Sequence, residues 1–145
     1  MILACGGDQR RIDARYHPWF DASFDEVFEA VVDAAKKSSR GIEASPREAK
    51  VETAWQQVNS TPTSGGSVGR LFVRFVVSIH GTRPFEVRVE GRASMWRTGD
   101  AMPTPLEGAD EPPWLAGRVD ALRADIYERL RAHVVETDSK RVKAP

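Results

Sequence analysis

Few side chains in this sequence combine the types and the spacing that chemistry requires. The three histidines, His17, His80 and His133, lie far apart, and none forms the H-x-x-x-H or H-E-x-x-H spacing that places zinc ligands on one helix face. The single cysteine, Cys5, excludes an intrachain disulfide framework and a cysteine zinc cluster. As a nucleophile it would need a nearby base and an ordered, electropositive site, which a segment beside two glycines does not offer. We therefore expect no metal site and no catalytic nucleophile.

Two further patterns could bind phosphate or transfer protons. Residues 64–69 (SGGSVG) are glycine-rich, but they lack the Lys-Ser/Thr of a P-loop and precede a predicted strand rather than a helix. Glu86 and Glu90 share a strand face, as a general acid–base pair would, but flanking arginines favour a solvated row of charges. We therefore expect a protein without enzymatic activity and without a cofactor.

The composition indicates one soluble domain. The chain has 145 residues, of which 41% are hydrophobic and 29% are charged, which is too apolar for a wholly disordered chain. Lys and Arg number 21, as do Asp and Glu, so there is no electrostatic case for binding nucleic acid. No stretch approaches the roughly 18 apolar residues that a membrane-spanning helix needs.

A helix and a strand pair are predicted in the first half of the chain. Ser23 with Glu26 three residues later forms a capping box, and apolar residues at helical spacing predict a helix over residues 23–38. A short strand is predicted at Ile42–Ser45. After a turn at Pro46, residues 50–58 read as a second strand, with Val51, Thr53 and Trp55 on one face.

The clearest pattern is a hairpin. Residues 71–80 and 85–95 each alternate between apolar and polar side chains, which predicts two antiparallel strands with one wet face. If Ile79 lies opposite Phe85, Arg74 lies opposite Glu90. The wet face then presents a possible contact surface made of Arg74, His80, Arg88, Arg92 and Trp96.

The end of the chain predicts a loop and a second helix. Residues 97–112 are rich in proline, glycine and acid, and Pro113 opens a helix that ends near Val135. Its apolar stripe contains Leu115, Val119, Leu122, Ile126, Leu130 and Val134. We expect an α+β two-layer sandwich in the order α-β-β-β-β-α, with two helices covering one face of an antiparallel four-stranded sheet. The predicted organisation is a linker at 1–21, the domain at 22–135 and a disordered tail at 136–145.

The first residues resemble the end of a lipoprotein signal peptide. In Ile2-Leu3-Ala4-Cys5, an aliphatic residue and a small residue precede a cysteine, as in a bacterial lipobox. The resemblance implies a lipid on Cys5 and attachment to a membrane. An ordinary thiol is the alternative.

The domain resembles the outer-membrane lipoproteins related to BamC, of the β-barrel assembly machinery. The residues that carry the resemblance are Phe24, Val27, Phe28 and Val31 of the helix, Gly41-Ile42, and Val51, Thr53 and Trp55 of the second strand. It covers residues 22–134, with one such domain where BamC has two and without BamC's long extended N-terminal segment. Accessory lipoproteins of lipopolysaccharide transport match comparably in outline. The resemblance implies a periplasmic location at the outer membrane.

Three functions remain open at this point. The first is a non-enzymatic, lipid-anchored envelope protein that binds another envelope protein through the wet sheet face and the loops at 59–69 and 97–112. The second is a small-molecule or lipid carrier, with a cavity lined by Phe28, Val31, Phe75, Val87 and Leu122. The third is a cytoplasmic enzyme or enzyme subunit.

Overall fold

A long hairpin runs through the middle of the fold, and shorter strands extend it on both sides. The computed structural model describes residues 18–58 and 69–135. These residues form an open antiparallel sheet whose strands are β1 (Trp19–Phe20), β2 (Ile42–Ser45), β3 (Lys50–Thr53), β4 (Gln56–Val58), β5 (Gly69–His80), β6 (Phe85–Arg97), β7 (Thr104–Leu106) and β8 (Val134–Val135). The helices are α1 (Phe24–Ser38) and α2 (Leu115–Arg129), with short 3-10 turns at Gly108–Asp110 and Arg131–His133.

The α+β class is confirmed, but the predicted four-stranded sheet is wrong because the described residues form eight strands. The strand order is β2-β3-β5-β6-β1-β8, while β4 also pairs with β5 and β7 also pairs with β6. The strands that the sequence did not indicate separately, β1, β4, β7 and β8, have only two or three residues each. Strands this short are not long enough to show an alternating pattern.

The segment predicted as one strand over residues 50–58 is two strands with a break between them. β3 pairs with Val76–Ser78 of β5, and β4 pairs with Leu71–Val73, so neither pairs with Phe75. The buried hydroxyl of Thr53 fills this gap, because its Oγ1 accepts a hydrogen bond of 2.8 Å from the Phe75 backbone N–H. The side chain thereby satisfies a buried donor that the ladder leaves open.

Both ends of the described chain join the sheet. Trp19 and Phe20 of β1 pair with Glu86 and Phe85 of β6, although the sequence places the domain's start at residue 22. The last helix ends at Arg129 rather than near Val135, and Val134–Val135 then pairs with β1. The final predicted helical turn is thus replaced by a 3-10 turn and a strand.

The hairpin register differs by two residues from the predicted one. Ile79 lies opposite Val87, and Arg74 lies opposite Arg92 rather than Glu90. Phe85 pairs with Phe20 instead of with β5, so the last pair of the hairpin is His80 with Glu86. Because a shift of two residues keeps every side chain on its own face, the predicted inner and outer faces are correct.

A capping box starts α1 as predicted. The Glu26 backbone N–H donates to Ser23 Oγ at 3.2 Å, and the Ser23 backbone N–H donates to Glu26 Oε1 at 3.1 Å. The backbone hydrogen bond from Ser23, followed by its hydroxyl, lowers the pKa of the Glu26 carboxyl below its ordinary value. Both groups satisfy donors that a helix start would otherwise leave open.

The helices and the odd-numbered residues of β5 and β6 form one apolar core. It contains Val27, Ala30, Val31, Ala34 and Ala35 of α1, Val73, Phe75, Val77, Val87 and Val89 of the hairpin, and Leu115, Leu122 and Ile126 of α2. Gly91 of β6 faces α2 so closely that a Cβ there would lie 2.7 Å from Val119 Cγ2. Both helices therefore pack on one face of the sheet.

Candidate functional site

The sheet face that points away from the helices is a polar surface built on the two longest strands. We call it the open face and define it by the even-numbered residues of β5 and β6 and their register partners on β2 and β3. These residues are Glu43, Ser45, Lys50, Glu52, Arg70, Phe72, Arg74, Val76, Ser78, His80, Glu86, Arg88, Glu90, Arg92, Ser94 and Trp96. A sheet face that contains four glutamates and five basic residues is organised for polar contact.

The five residues predicted as a contact surface all lie on the open face. Arg74 and Arg92 are direct cross-strand partners at its centre, and Arg88 lies opposite Ser78. His80 and Trp96 lie at opposite ends of the hairpin. The structure thus brings these residues onto one surface but not into one compact cluster.

Arg74 contacts both a carboxylate and an aromatic ring. Its NH2 lies 3.3 Å from Glu52 Oε1, and both side chains are 21% exposed. Its guanidinium carbon lies 5.2 Å from the centroid of the Trp55 ring, within cation–π range. The Arg74 fork is therefore held in place before any partner arrives.

Sequence reasoning missed Glu52 and Trp55 in this cluster. The prediction placed Trp55 on the same face as buried Val51 and Thr53, but its side chain is 42% exposed. The break after β3 removes Trp55 from the alternation. Lys50 and Glu52 are polar residues that alternate with buried Val51 and Thr53, and this alternation could have revealed Glu52. No local pattern in the sequence indicates the break after Thr53.

Trp96 forms one wall of a recess at the other end of the open face. The recess has a volume of about 330 Å³ and is lined by Arg70, Phe72, Trp96, Arg97, Thr98 and Gly99. The indole N–H donates to the Asp100 backbone carbonyl at 3.0 Å, and the ring remains 43% exposed, as its parity predicts. A flat side chain of a partner could stack in this recess.

Ser78 and His80 are the described groups that come nearest to a catalytic arrangement. Ser78 Oγ lies 2.8 Å from His80 Nε2, which is the distance a nucleophile and its base require. Glu86 lies opposite His80, but its carboxylate bonds to Arg88 at 3.1 Å. Ser78 lies within β5, and β3 and β6 pair with that strand on either side of it. The two side chains thus form a polar contact on the open face.

A groove on the helix side is the other feature that could receive a ligand. It has a volume of about 650 Å³ and lies between α1, β4 and α2, with Phe75 and Leu122 among its lining residues. Val31 and Val87 of the predicted carrier cavity are buried in the core instead of lining the groove. The carrier hypothesis stays a prediction, and the lining that the sequence suggested for it is only partly correct.

Several predicted features lie outside the described residues. These are Cys5, His17, most of the loop at 59–69 and the tail at 136–145. Within residues 18–58 and 69–135, no three His, Cys, Asp or Glu side chains come together as metal ligands would. No helix in this described part is long and apolar enough to cross a membrane.

Comparison with known proteins adds no family to these observations. No protein-family model matches the sequence, and no curated protein matches it. The resemblance to BamC-related lipoproteins and the lipid on Cys5 therefore stay predictions.

Proposed function

We propose that this protein is a non-enzymatic accessory domain that binds another protein of the bacterial envelope through its open face. The observation that carries the proposal is the placement of Arg74, Arg88, Arg92 and Trp96 on one face of the sheet. Arg and Trp are the side chains most often responsible for binding energy in protein interfaces. A surface of this kind recognises carboxylates and aromatic rings.

Order before binding makes this surface suited to recognition. The Arg74 guanidinium is held by Glu52 at 3.3 Å and by the Trp55 ring, and the Trp96 indole is held by the Asp100 carbonyl at 3.0 Å. A side chain that is already ordered loses little conformational entropy on binding, a cost that otherwise reaches about 0.5–1.5 kcal/mol per side chain. Contacts made by these residues therefore contribute more of their energy to affinity.

Crosslinking at Trp96 tests the contact surface. We expect a photoreactive phenylalanine at position 96, in the full chain in its own host, to crosslink to a defined protein. The matched control is position 127, because Tyr127 is also aromatic and is 37% exposed, but lies on α2 on the helix side. The same crosslinks from both positions, or none from position 96, would overturn the proposal.

The proposal places the domain at the periplasmic side of the outer membrane through a lipid on Cys5. An acyl chain stabilises membrane attachment by about 0.8 kcal/mol per buried CH₂, so a lipidated chain stays with the membrane. We expect the N-terminal peptide of the native protein to begin at a triacylated Cys5, as measured by mass spectrometry. A peptide beginning at unmodified Met1 would instead indicate the cytoplasm.

A further inference from the structure

The charges of the open face lie in rows of one sign that run across the strands. Arg74 and Arg92 form a basic row, because they are direct cross-strand partners. In the next row, Glu52 and Glu90 flank Val76. In the row after that, Lys50 and Arg88 flank Ser78. Glu86, opposite His80, forms the last acidic row. Neighbouring rows are two residues apart along the strands, which is about 6.7 Å.

This order sets charges of the same sign opposite each other across the strands. Like charges that face each other across two strands repel, and Arg74 and Arg92 do so directly. The ion pairs run along or diagonally between strands instead, with Arg92 to Glu90 at 3.0 Å and Arg88 to Glu86 at 3.1 Å. A face that needed only solubility would gain more by alternating the signs across the strands. The rows are therefore suited to a partner whose charges lie in rows with the opposite order.

We infer that this partner is a second copy of the chain, packed face to face on the open face. The inference rests on the proposed function, since it uses the same surface for binding, and the Trp96 end of the open face lies outside the four rows that the second copy contacts. From the Arg74 row to the Glu86 row, the charges are basic, acidic, basic and acidic. In the opposite direction the order is acidic, basic, acidic and basic, so each row of one copy then faces a row of opposite charge. A two-fold axis that lies between the two sheets, perpendicular to the strands and midway between the Glu52 row and the Lys50 row, produces this arrangement. Each basic row then faces an acidic row of the second copy. This is an isologous contact, in which one patch serves both copies.

The strands themselves carry the same complementarity. With each strand over its own copy, Glu90 meets Arg88 of the second copy and Arg92 meets Glu86 of the second copy. Glu52 of β3 meets Lys50 of the second copy in the same way. Each of these pairs occurs twice because of the two-fold axis. Two antiparallel sheets that stack with their strands nearly aligned are an ordinary packing, about 10 Å apart.

The overlap of the two faces has the size of a small contact. The four charged rows span about 20 Å along the hairpin and four strands are about 19 Å wide, so the overlap covers at most about 380 Å² per copy. A standard interface buries about 800 Å² per partner, so we expect a weak and reversible dimer. Because charged pairs make up most of this contact, its affinity must fall with salt.

A charge exchange within β6 tests the two-fold arrangement. Arg88→Glu sets two carboxylates against each other across the axis, and Glu90→Arg does the same with two guanidinium groups. The double variant Arg88→Glu with Glu90→Arg restores an opposite pair. The two side chains are 55% and 62% exposed, so neither substitution changes the apolar core, and we expect each variant to fold. In sedimentation equilibrium of the full, unlipidated chain, we expect each single variant to weaken dimerisation at least tenfold. The double variant should return to within about threefold of the wild-type affinity.

Salt and crosslinking separate this inference from the proposed function. We expect dimerisation of the wild type to weaken at least tenfold between 50 and 500 mM NaCl, because added salt screens the attraction between exposed charges. A chain that stays monomeric at about 100 µM in low salt overturns the second copy as partner. So does a dimer that the double variant fails to restore. Crosslinks from position 96 to a different envelope protein would then still support the proposed function, whereas their absence would overturn that as well.

Discussion

Replacement of Phe20 by alanine is expected to destabilise the domain by about 3–5 kcal/mol, the range for removal of a buried aromatic ring. Phe20 is 2% exposed and is the largest fully buried side chain among the residues that the structure describes. Its ring lies 6.5 Å from that of Tyr127, edge to face, and its backbone pairs with Phe85 and Val134. Since a whole domain has only about 5–15 kcal/mol of stability, the variant loses a large part of it. Chemical denaturation measures the change as a difference in the free energy of unfolding.

Trp96→Ala is the matched control for this result. It also removes an aromatic ring from the sheet, but that ring lies on the open face and is 43% exposed. We expect a loss below about 1 kcal/mol, because most of the cost of removing an aromatic residue comes from the buried area and the cavity it leaves. Equal losses for the two variants would mean that β1 contributes no more to the core than an exposed ring does.

Phe20 also shows why part of the fold escapes sequence reasoning. The capping box of Ser23 and Glu26 acts within one helical turn, so its residues predict the start of α1 directly. β1 is a strand of two residues that exists because β6 and β8 pair with it. Its partner Val134 is more than a hundred residues away in the chain. The aromatic residues of this segment favour packing at the domain edge, but no local periodicity indicates a strand there, so the sequence places the segment in the linker.

The open face was predicted more completely than the register that builds it. Period-two alternation assigns Arg74, Arg88 and Arg92 to one face for any register shifted by an even number of residues. The Trp55 contact with Arg74 depends on the break after Thr53. At the break, the Ala54 backbone N–H donates to the Gly41 carbonyl at 2.8 Å, one residue beyond the Ile42–Thr53 pair of β2 and β3. A prediction from local pattern therefore identifies the arginines of the open face but misses the contact of Arg74 with Trp55.

Two glycine-to-alanine substitutions are expected to change stability in opposite directions. At Gly91, the new Cβ would lie 2.7 Å from Val119 Cγ2 and 3.2 Å from two atoms of Leu115. Val119 is β-branched and holds one rotamer on a helix, so it cannot turn away cheaply, and α2 must shift from the sheet. Over-packing of this kind costs about 1–3 kcal/mol. This exceeds the about 0.5–1 kcal/mol that alanine gains over glycine within a strand.

Gly117 is the matched control, because it lies in α2 and a Cβ there would meet nothing within 4 Å. Gly117 lies in the first turn of α2, so Gly117→Ala should stabilise the domain by at most about 1 kcal/mol, the helix-propensity difference for an interior position. The two variants add the same methyl group to β6 and to α2, which meet at Val119. Comparison of the two separates the effect of tight packing from the effect of glycine's backbone propensity. A Gly91→Ala variant as stable as the wild type, measured by the same denaturation, would show that α2 does not lie tightly on β6. In that case the close approach of α2 to the sheet could not be the reason for a glycine at position 91.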